Sequence, residues 1–118
     1  MKKYIIVTGG AGFVGSNLIE YLISKKNKKI ISIDDYSSGS KKNHISSPNV
    51  KYLHANTSDV DRVLSKYKNQ IHSLFHFGEF SRIFQSFKNF DDCFISNSIG
   101  TQAIFKFCLD NKIKLIYS

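Results

Sequence analysis

Ile5-Ile6-Val7-Thr8-Gly9-Gly10-Ala11-Gly12-Phe13-Val14-Gly15-Ser16 is the stretch whose reading decides the fold. A β-branched apolar run passes straight into a cluster of glycines, and Ser16 to Ser24 then carries Leu18, Ile19, Leu22 and Ile23 on one helical face. The order is therefore strand, tight turn, helix. Glycines let the backbone turn sharply and come close to a diphosphate, which free N–H groups at the positive end of a helix can hold. The literal G-x-G-x-x-G falls on Gly10, Gly12 and Gly15, while T-G-x-x-G-x-x-G falls on Thr8, Gly9, Gly12 and Gly15.

A glycine pattern alone is a weak signal. It becomes specific when a strand precedes it, a helix follows it, and an acidic residue stands roughly 20 positions on at the end of a second strand. Ile30-Ile31-Ser32-Ile33 is that second apolar run, and it ends at Asp34. A carboxylate there accepts hydrogen bonds from the hydroxyls of an adenosine ribose and repels a 2′-phosphate, which points to NAD rather than NADP. The structural alternative, a glycine-rich turn beside a solvated Asp34-Asp35 loop, is the minor reading.

With 118 residues the chain is sized for one domain, residues 1–118, yet short for a complete doubly wound enzyme. Hydrophobic content is 42%, and no apolar run approaches the ~20 residues of a membrane span. Met1-Lys2-Lys3 leads into too short an apolar stretch for a signal peptide, and Cys93 and Cys108 have no second pair to suggest a zinc site or disulfide framework. A cytoplasmic protein without a metal is expected. The net charge of +8 comes from fifteen lysines against two arginines, scattered as Lys25-Lys26, Lys28-Lys29, Lys41-Lys42 and single residues. No aromatic-interleaved basic stripe appears, so a solvated surface is expected rather than a nucleic-acid partner.

Further along, Asp35-Tyr36-Ser37-Ser38-Gly39-Ser40 is a turn-rich loop placed to lie beside the adenosine. Val50 to Ala55 reads as a third strand ending at Asn56-Thr57-Ser58-Asp59, with Ser58 or Asp59 available to cap a short helix from Val60 to Tyr67. Ser73 to Phe77 is a fourth strand that stops at Gly78-Glu79, where a glycine again suggests close backbone approach to a ligand. Phe80 to Phe94 is aromatic-rich without a clear period. Ile95 to Leu109 carries Ile99, Ala103, Ile104, Phe107 and Cys108 as a helical stripe, with Asn111 as its cap, and Lys112 to Tyr117 is a fifth strand. Strands alternating with helices imply a Rossmann-type parallel α/β sheet of about five strands in the order 3-2-1-4-5, with helices on both faces.

These residues resemble the N-terminal part of the extended short-chain dehydrogenase/reductase family, the NAD-dependent nucleotide-sugar epimerases and dehydratases typified by UDP-glucose 4-epimerase. Thr8 to Ser16 is similar to the family's opening motif, and Asp34-Asp35-Tyr36-Ser37-Ser38-Gly39 to its Asp-Asn-Leu-Ser-x-Gly loop. Phe75-His76-Phe77-Gly78-Glu79 resembles its Phe-His-Leu-Ala-Ala strand end, Asn97-Ser98-Ile99-Gly100-Thr101 its Asn-x-x-Gly-Thr, and Leu115 to Ser118 the strand that begins its Tyr-Ser-Ser-Ser segment. The resemblance implies that Gly9, Gly12, Phe13, Val14 and Gly15 cradle the pyrophosphate of NAD, that Asp34 holds the adenosine ribose, and that Ser38 and Gly39 flank it. The family places Asp followed by Ile or Leu at the end of the third strand to read the adenine amino group. Here that pair is Asn56-Thr57, whose amide oxygen accepts without charge assistance. Phe77, Gly78 and Glu79 would pass along the nicotinamide half, with solvent or a surface ion pair slightly favoured for Glu79. Asn97 fits the crevice or a helix-start cap equally well.

The family's chemistry rests on a Tyr-x-x-x-Lys pair and a Ser or Thr, and the resemblance places both beyond Ser118. Tyr21-Leu22-Ile23-Ser24-Lys25 has the spacing but lies within the first helix. No catalytic residue is therefore assigned, and the chain alone is expected to be inactive and truncated relative to the family. It reads as the NAD-binding portion of an epimerase or dehydratase acting on a nucleotide-diphosphate sugar, or as a non-catalytic NAD(H)- or nucleotide-binding module. The fifth strand would be an exposed edge, which predicts self-association.

Overall fold

The apolar runs become strands β1 (Tyr4–Thr8), β2 (Lys29–Asp34), β3 (Val50–His54), β4 (Ile71–His76) and β5 (Lys114–Tyr117) in a computed structural model. It describes residues 2–25, 28–37, 39–77 and 99–117. Between the strands lie helices α1 (Phe13–Ile23), α2 (Val60–Val63) and α3 (Thr101–Asp110). The strands form one parallel sheet in the order β3-β2-β1-β4-β5. Parallel neighbours need crossovers, and the alternation of strand and helix supplies them.

Period-two alternation sorts each strand's side chains between two cores. Ile5, Val7 and Ile30 pack with Ile19 and Leu22 of α1 on one face. Ile6, Ile31, Ile33 and Leu74 pack on the other with Val60, Leu64, Ile104, Phe107 and Cys108. Helices thus cover both faces. The register aligns Thr8 with Ile33 and His76, and Asp34 with His54, so the ends of four strands converge at the glycine turn.

Several boundaries differ from the sequence reading for identifiable reasons. The helix expected over Val60 to Tyr67 is α-helical only to Val63; at Leu64 the backbone leaves helical values and tightens into 3-10 turns over Ser65–Gln70. That path brings Tyr67 edge-on to Tyr4 at 5.0 Å, where Lys51 Nζ donates to its hydroxyl at 3.1 Å and lowers the phenol pKa. Asp59 holds the N-cap position of α2 without a side-chain bond, and Asn56 caps the 3-10 turn before it, its Oδ1 accepting from Ser58 N at 2.9 Å. β4 begins at Ile71, two residues earlier than the alternation suggested. Of the stripe expected over Ile95 to Leu109, Ile104, Phe107 and Cys108 are buried in α3, whereas Ile99, before its first residue, is 51% exposed; residues 95–98 lie outside the described residues. Asn111 is the C-cap, its Nδ2 donating to Phe107 O at 2.8 Å. β5 starts at Lys114 because Lys112, at φ +56°, is spent closing the helix. Among the described residues no helix is long and apolar enough to cross a membrane.

Candidate functional site

The glycine turn is built from its own backbone. Gly9 takes φ +73°, a left-handed conformation that glycine adopts without strain, and donates to Ile33 O at 2.7 Å. Gly12 N donates to Gly9 O at 3.1 Å, and Gly15 lies so close that a Cβ there would sit 2.2 Å from that same carbonyl oxygen. The turn therefore seats the start of α1 directly on itself. Gly12 is the N-cap without a side-chain cap, and the N–H groups of Phe13, Val14 and Gly15 make no hydrogen bond among the described residues. Such a helix start favours an anion. Phe13 and Val14 are 81% and 58% exposed, which leaves the approach open.

Asp34 joins the turn to the next loop. Its Oδ2 accepts from Ala11 N at 2.9 Å and its Oδ1 from Tyr36 N at 2.8 Å, while the residue is only 9% exposed. Ala11 O in turn accepts from Ser40 N at 3.0 Å and from Asn43 Nδ2 at 2.7 Å, with Gly39 packed against Ala11. The loop is folded back onto the glycine turn. Aromatic contacts fix its outer side: Tyr36 Oη lies 2.6 Å from His44 Nε2, and His44 stacks on Tyr52 at 3.8 Å. Burial, and next the charge of Asp34, raise the Tyr36 pKa above the ordinary phenol value.

Beside β2, the end of β3 carries Asn56 and Thr57. Asn56 Nδ2 makes a long 3.5 Å contact with Asp35 Oδ2, and its Oδ1 is already engaged by Ser58 N. Thr57 is buried beneath Gly100, at the start of α3, so its side chain belongs to the core rather than the crevice. On the other side of β1, Phe77 N donates to Thr8 Oγ1 at 2.8 Å. Thr8 Oγ1 also lies 2.7 Å from Nδ1 of the fully buried His76, whose Nε2 faces Thr101 Oγ1 at 3.3 Å. These contacts tie β1 and β4 to α3.

The structure thus brings Gly9, Gly12, Phe13, Val14, Gly15, Asp34 and Gly39 to one corner, with Asn56 adjacent and Phe77 at the end of β4. Ser38, Gly78, Glu79 and Asn97 lie outside the described residues. Ala11, Asn43, Thr8, His76 and Thr101 were assigned no role from the sequence, although Thr8, His76 and Thr101 stand within the motifs quoted above. Tyr21 and Lys25 sit at the far end of α1, with Lys25 Nζ 4.7 Å over the Tyr21 ring, remote from this corner. Among the described residues no group of three His, Cys, Asp or Glu side chains could hold a metal ion.

A parallel sheet in this order, with an uncapped glycine turn after β1 and a carboxylate closing β2, defines a Rossmann-type α/β protein. The family model of the NAD dependent epimerase/dehydratase family matches residues 5–118, and the chain belongs to that family. It is 32% identical over 116 residues to a dTDP-D-glucose 4,6-dehydratase of Dictyostelium discoideum, covering 93% of this chain and 27% of that protein. UDP-glucose 4-epimerase of Thermotoga maritima, solved with UDP-glucose, superposes with a TM-score of 0.84 at 25% identity, covering 97% of this chain and 37% of that one. The Bordetella bronchiseptica enzyme WbmG, solved with NAD, shares the fold at a TM-score of 0.84 and 21% identity, covering 99% and 37%. The chain spans between 27% and 37% of the length of these relatives.

Proposed function

We propose that residues 1–118 form an NAD-binding domain of a nucleotide-sugar epimerase or dehydratase. The observation that carries this reading is the pairing, at one corner, of an uncapped helix start with a carboxylate fixed by two backbone donors. The residues fit the cofactor: among the described residues a Cβ at Gly12 would meet only Gly9 O, at 3.4 Å, which leaves space before the free N–H groups. Gly9, Gly12, Phe13, Val14 and Gly15 hold the diphosphate, and Asp34 accepts the ribose hydroxyls. Gly39 and Ser38 flank the ribose, Asn56 borders the base, and Phe77, Gly78, Glu79 and Asn97 line the nicotinamide side. Bound NAD supplies a hydride acceptor for a sugar carbon. The residues that move the sugar's proton are not assigned within this chain, which alone turns over no nucleotide sugar. The reading includes a cytoplasmic placement, a partner set without nucleic acid because the lysines are scattered rather than gathered in a stripe, and self-association through the exposed residues around β5.

Isothermal titration tests the reading. NAD is expected to bind, with NADP at least about tenfold weaker because its 2′-phosphate meets Asp34. Asp34→Ala should weaken NAD by about ten- to a hundredfold, the scale of hydrogen bonds to a charged group. A thermal melt run alongside reports the bonds to Ala11 and Tyr36 lost with it. Unchanged NAD affinity in Asp34→Ala would remove the ribose assignment.

A further inference from the structure

Two side chains compete for one role beyond the ribose. A dinucleotide held by its diphosphate at the turn after β1, and by its ribose at the end of β2, carries its base away from β1, toward β3. Asp35 and Asn56 stand there, just past the ends of paired strands that align Asp34 with His54. The amino group of adenine is a donor and needs an acceptor. Asn56 Oδ1 already accepts from Ser58 N at 2.9 Å and closes the turn over Thr57–Asp59, while its Nδ2 points toward Asp35. Asp35 accepts from Ser37 N through Oδ1 at 2.9 Å, and among the described residues its Oδ2 has only the long 3.5 Å contact with Asn56. Asp35 is exposed, so that oxygen is reachable. A carboxylate acceptor is about twice as strong as a neutral amide. The two positions are also exchanged in type relative to the motifs they resemble, which carry Asn at the first and Asp at the second.

We infer that Asp35, rather than Asn56, is the side chain that accepts a hydrogen bond from the adenine amino group, and so sets the preference for an adenine dinucleotide. Asn56 is spent on its own turn through Oδ1, and its Nδ2 reaches Asp35 only at 3.5 Å. This rests on the NAD reading above.

The test compares NAD with nicotinamide hypoxanthine dinucleotide, which presents a keto oxygen where adenine has its amino group. Titration of the 118-residue chain should show NAD tighter by about tenfold, the scale of one hydrogen bond to a charged acceptor. Asp35→Ala should bring the two ligands within about twofold. Asp35→Asn keeps an acceptor for Ser37 N and can turn its amide nitrogen to the keto oxygen, so it should tighten the hypoxanthine ligand. Asn56→Ala should keep the preference near its original ratio. A preference that survives Asp35→Ala, or that disappears in Asn56→Ala, overturns the assignment, as does equal binding of both ligands by the unaltered chain. If the unaltered chain binds neither dinucleotide, the NAD reading itself fails and this inference falls with it.

Discussion

Ala11 has no functional group of its own, yet its backbone holds the corner together. Its N–H goes to Asp34 and its carbonyl collects Ser40 N and Asn43 Nδ2, so three segments meet at one peptide. The glycines and Asp34 were legible because their spacing is set by chain geometry close by. The engagement of Asn56 with Ser58 was not, because Asn, Ser and Asp all cap well and the local backbone selects among them. Cys108 shows the same dependence on surroundings. Burial pushes its thiol up to about 11, whereas an unfolded thiol titrates near about 8.5. Between those values the unfolded chain gives up the proton first, so the thiol's contribution to stability is present below about pH 8.5 and is lost as pH rises toward about 11. In a Cys93→Ser background, urea midpoints should fall across that window by more than in the matching Cys108→Ala chain. At pH 8, iodoacetamide should modify native Cys108 about a hundredfold more slowly than the unfolded chain. Equal rates would show that the thiol is not shielded.

Among the elements, the exit from α3 is the most informative. Ile113 N donates to Cys108 O at 2.8 Å and Lys112 N to Leu109 O at 3.4 Å, the two bonds of a Schellman motif, with Ile113 buried as its apolar partner. The residue that must take positive φ is Lys112, at +56°, where glycine is the usual choice. Lys112→Gly should therefore raise unfolding stability by about 0.5–1 kcal/mol, and Lys112→Val lower it by at least about 1 kcal/mol. Urea denaturation measures both, and a loss of stability in Lys112→Gly would contradict the strain argument. The existence of α3 and its buried stripe was readable from a 3.6-residue period. Asn111 marked where it stopped, but the left-handed turn that follows did not show, since a lysine at 112 hides what a glycine would have advertised. The α2 segment was overestimated for a related reason: Val60, Val63, Leu64 and Tyr67 keep helical spacing, but tertiary contact with Tyr4 pulls Tyr67 out of the helix.

For the molecule as a whole, the sheet order decides which apolar groups remain uncovered. Among the described residues β5 is an edge strand, and around it Tyr117 is 50%, Phe105 46% and Leu109 81% exposed, with Phe105 edge-on to Tyr117 at 5.4 Å. Such an edge with apolar neighbours favours pairing with another chain. Light scattering of the 118-residue chain should give a mass above its 13.5 kDa at high concentration, moving toward that value in Leu109→Lys. A plain monomer at all concentrations would contradict the self-association. The ion pair between Lys106 Nζ and Asp110 on the same helix, at 2.6 Å, is solvent-exposed and adds little to holding this region.

The amino-acid sequence by itself determined the alternation of strands and helices, the parallel order around β1, and the glycine turn with Asp34 behind it, because each follows from short-range periodicity or spacing along one segment. Only the tertiary structure decided that Thr8, His76 and Thr101 share one polar chain, that Thr57 belongs to the core, and that Asn56 is spent on its own turn while an oxygen of Asp35 stays open. Those outcomes depend on which residues from distant segments are brought within hydrogen-bond reach, and a side chain's remaining donors and acceptors are known only once its neighbours are in place.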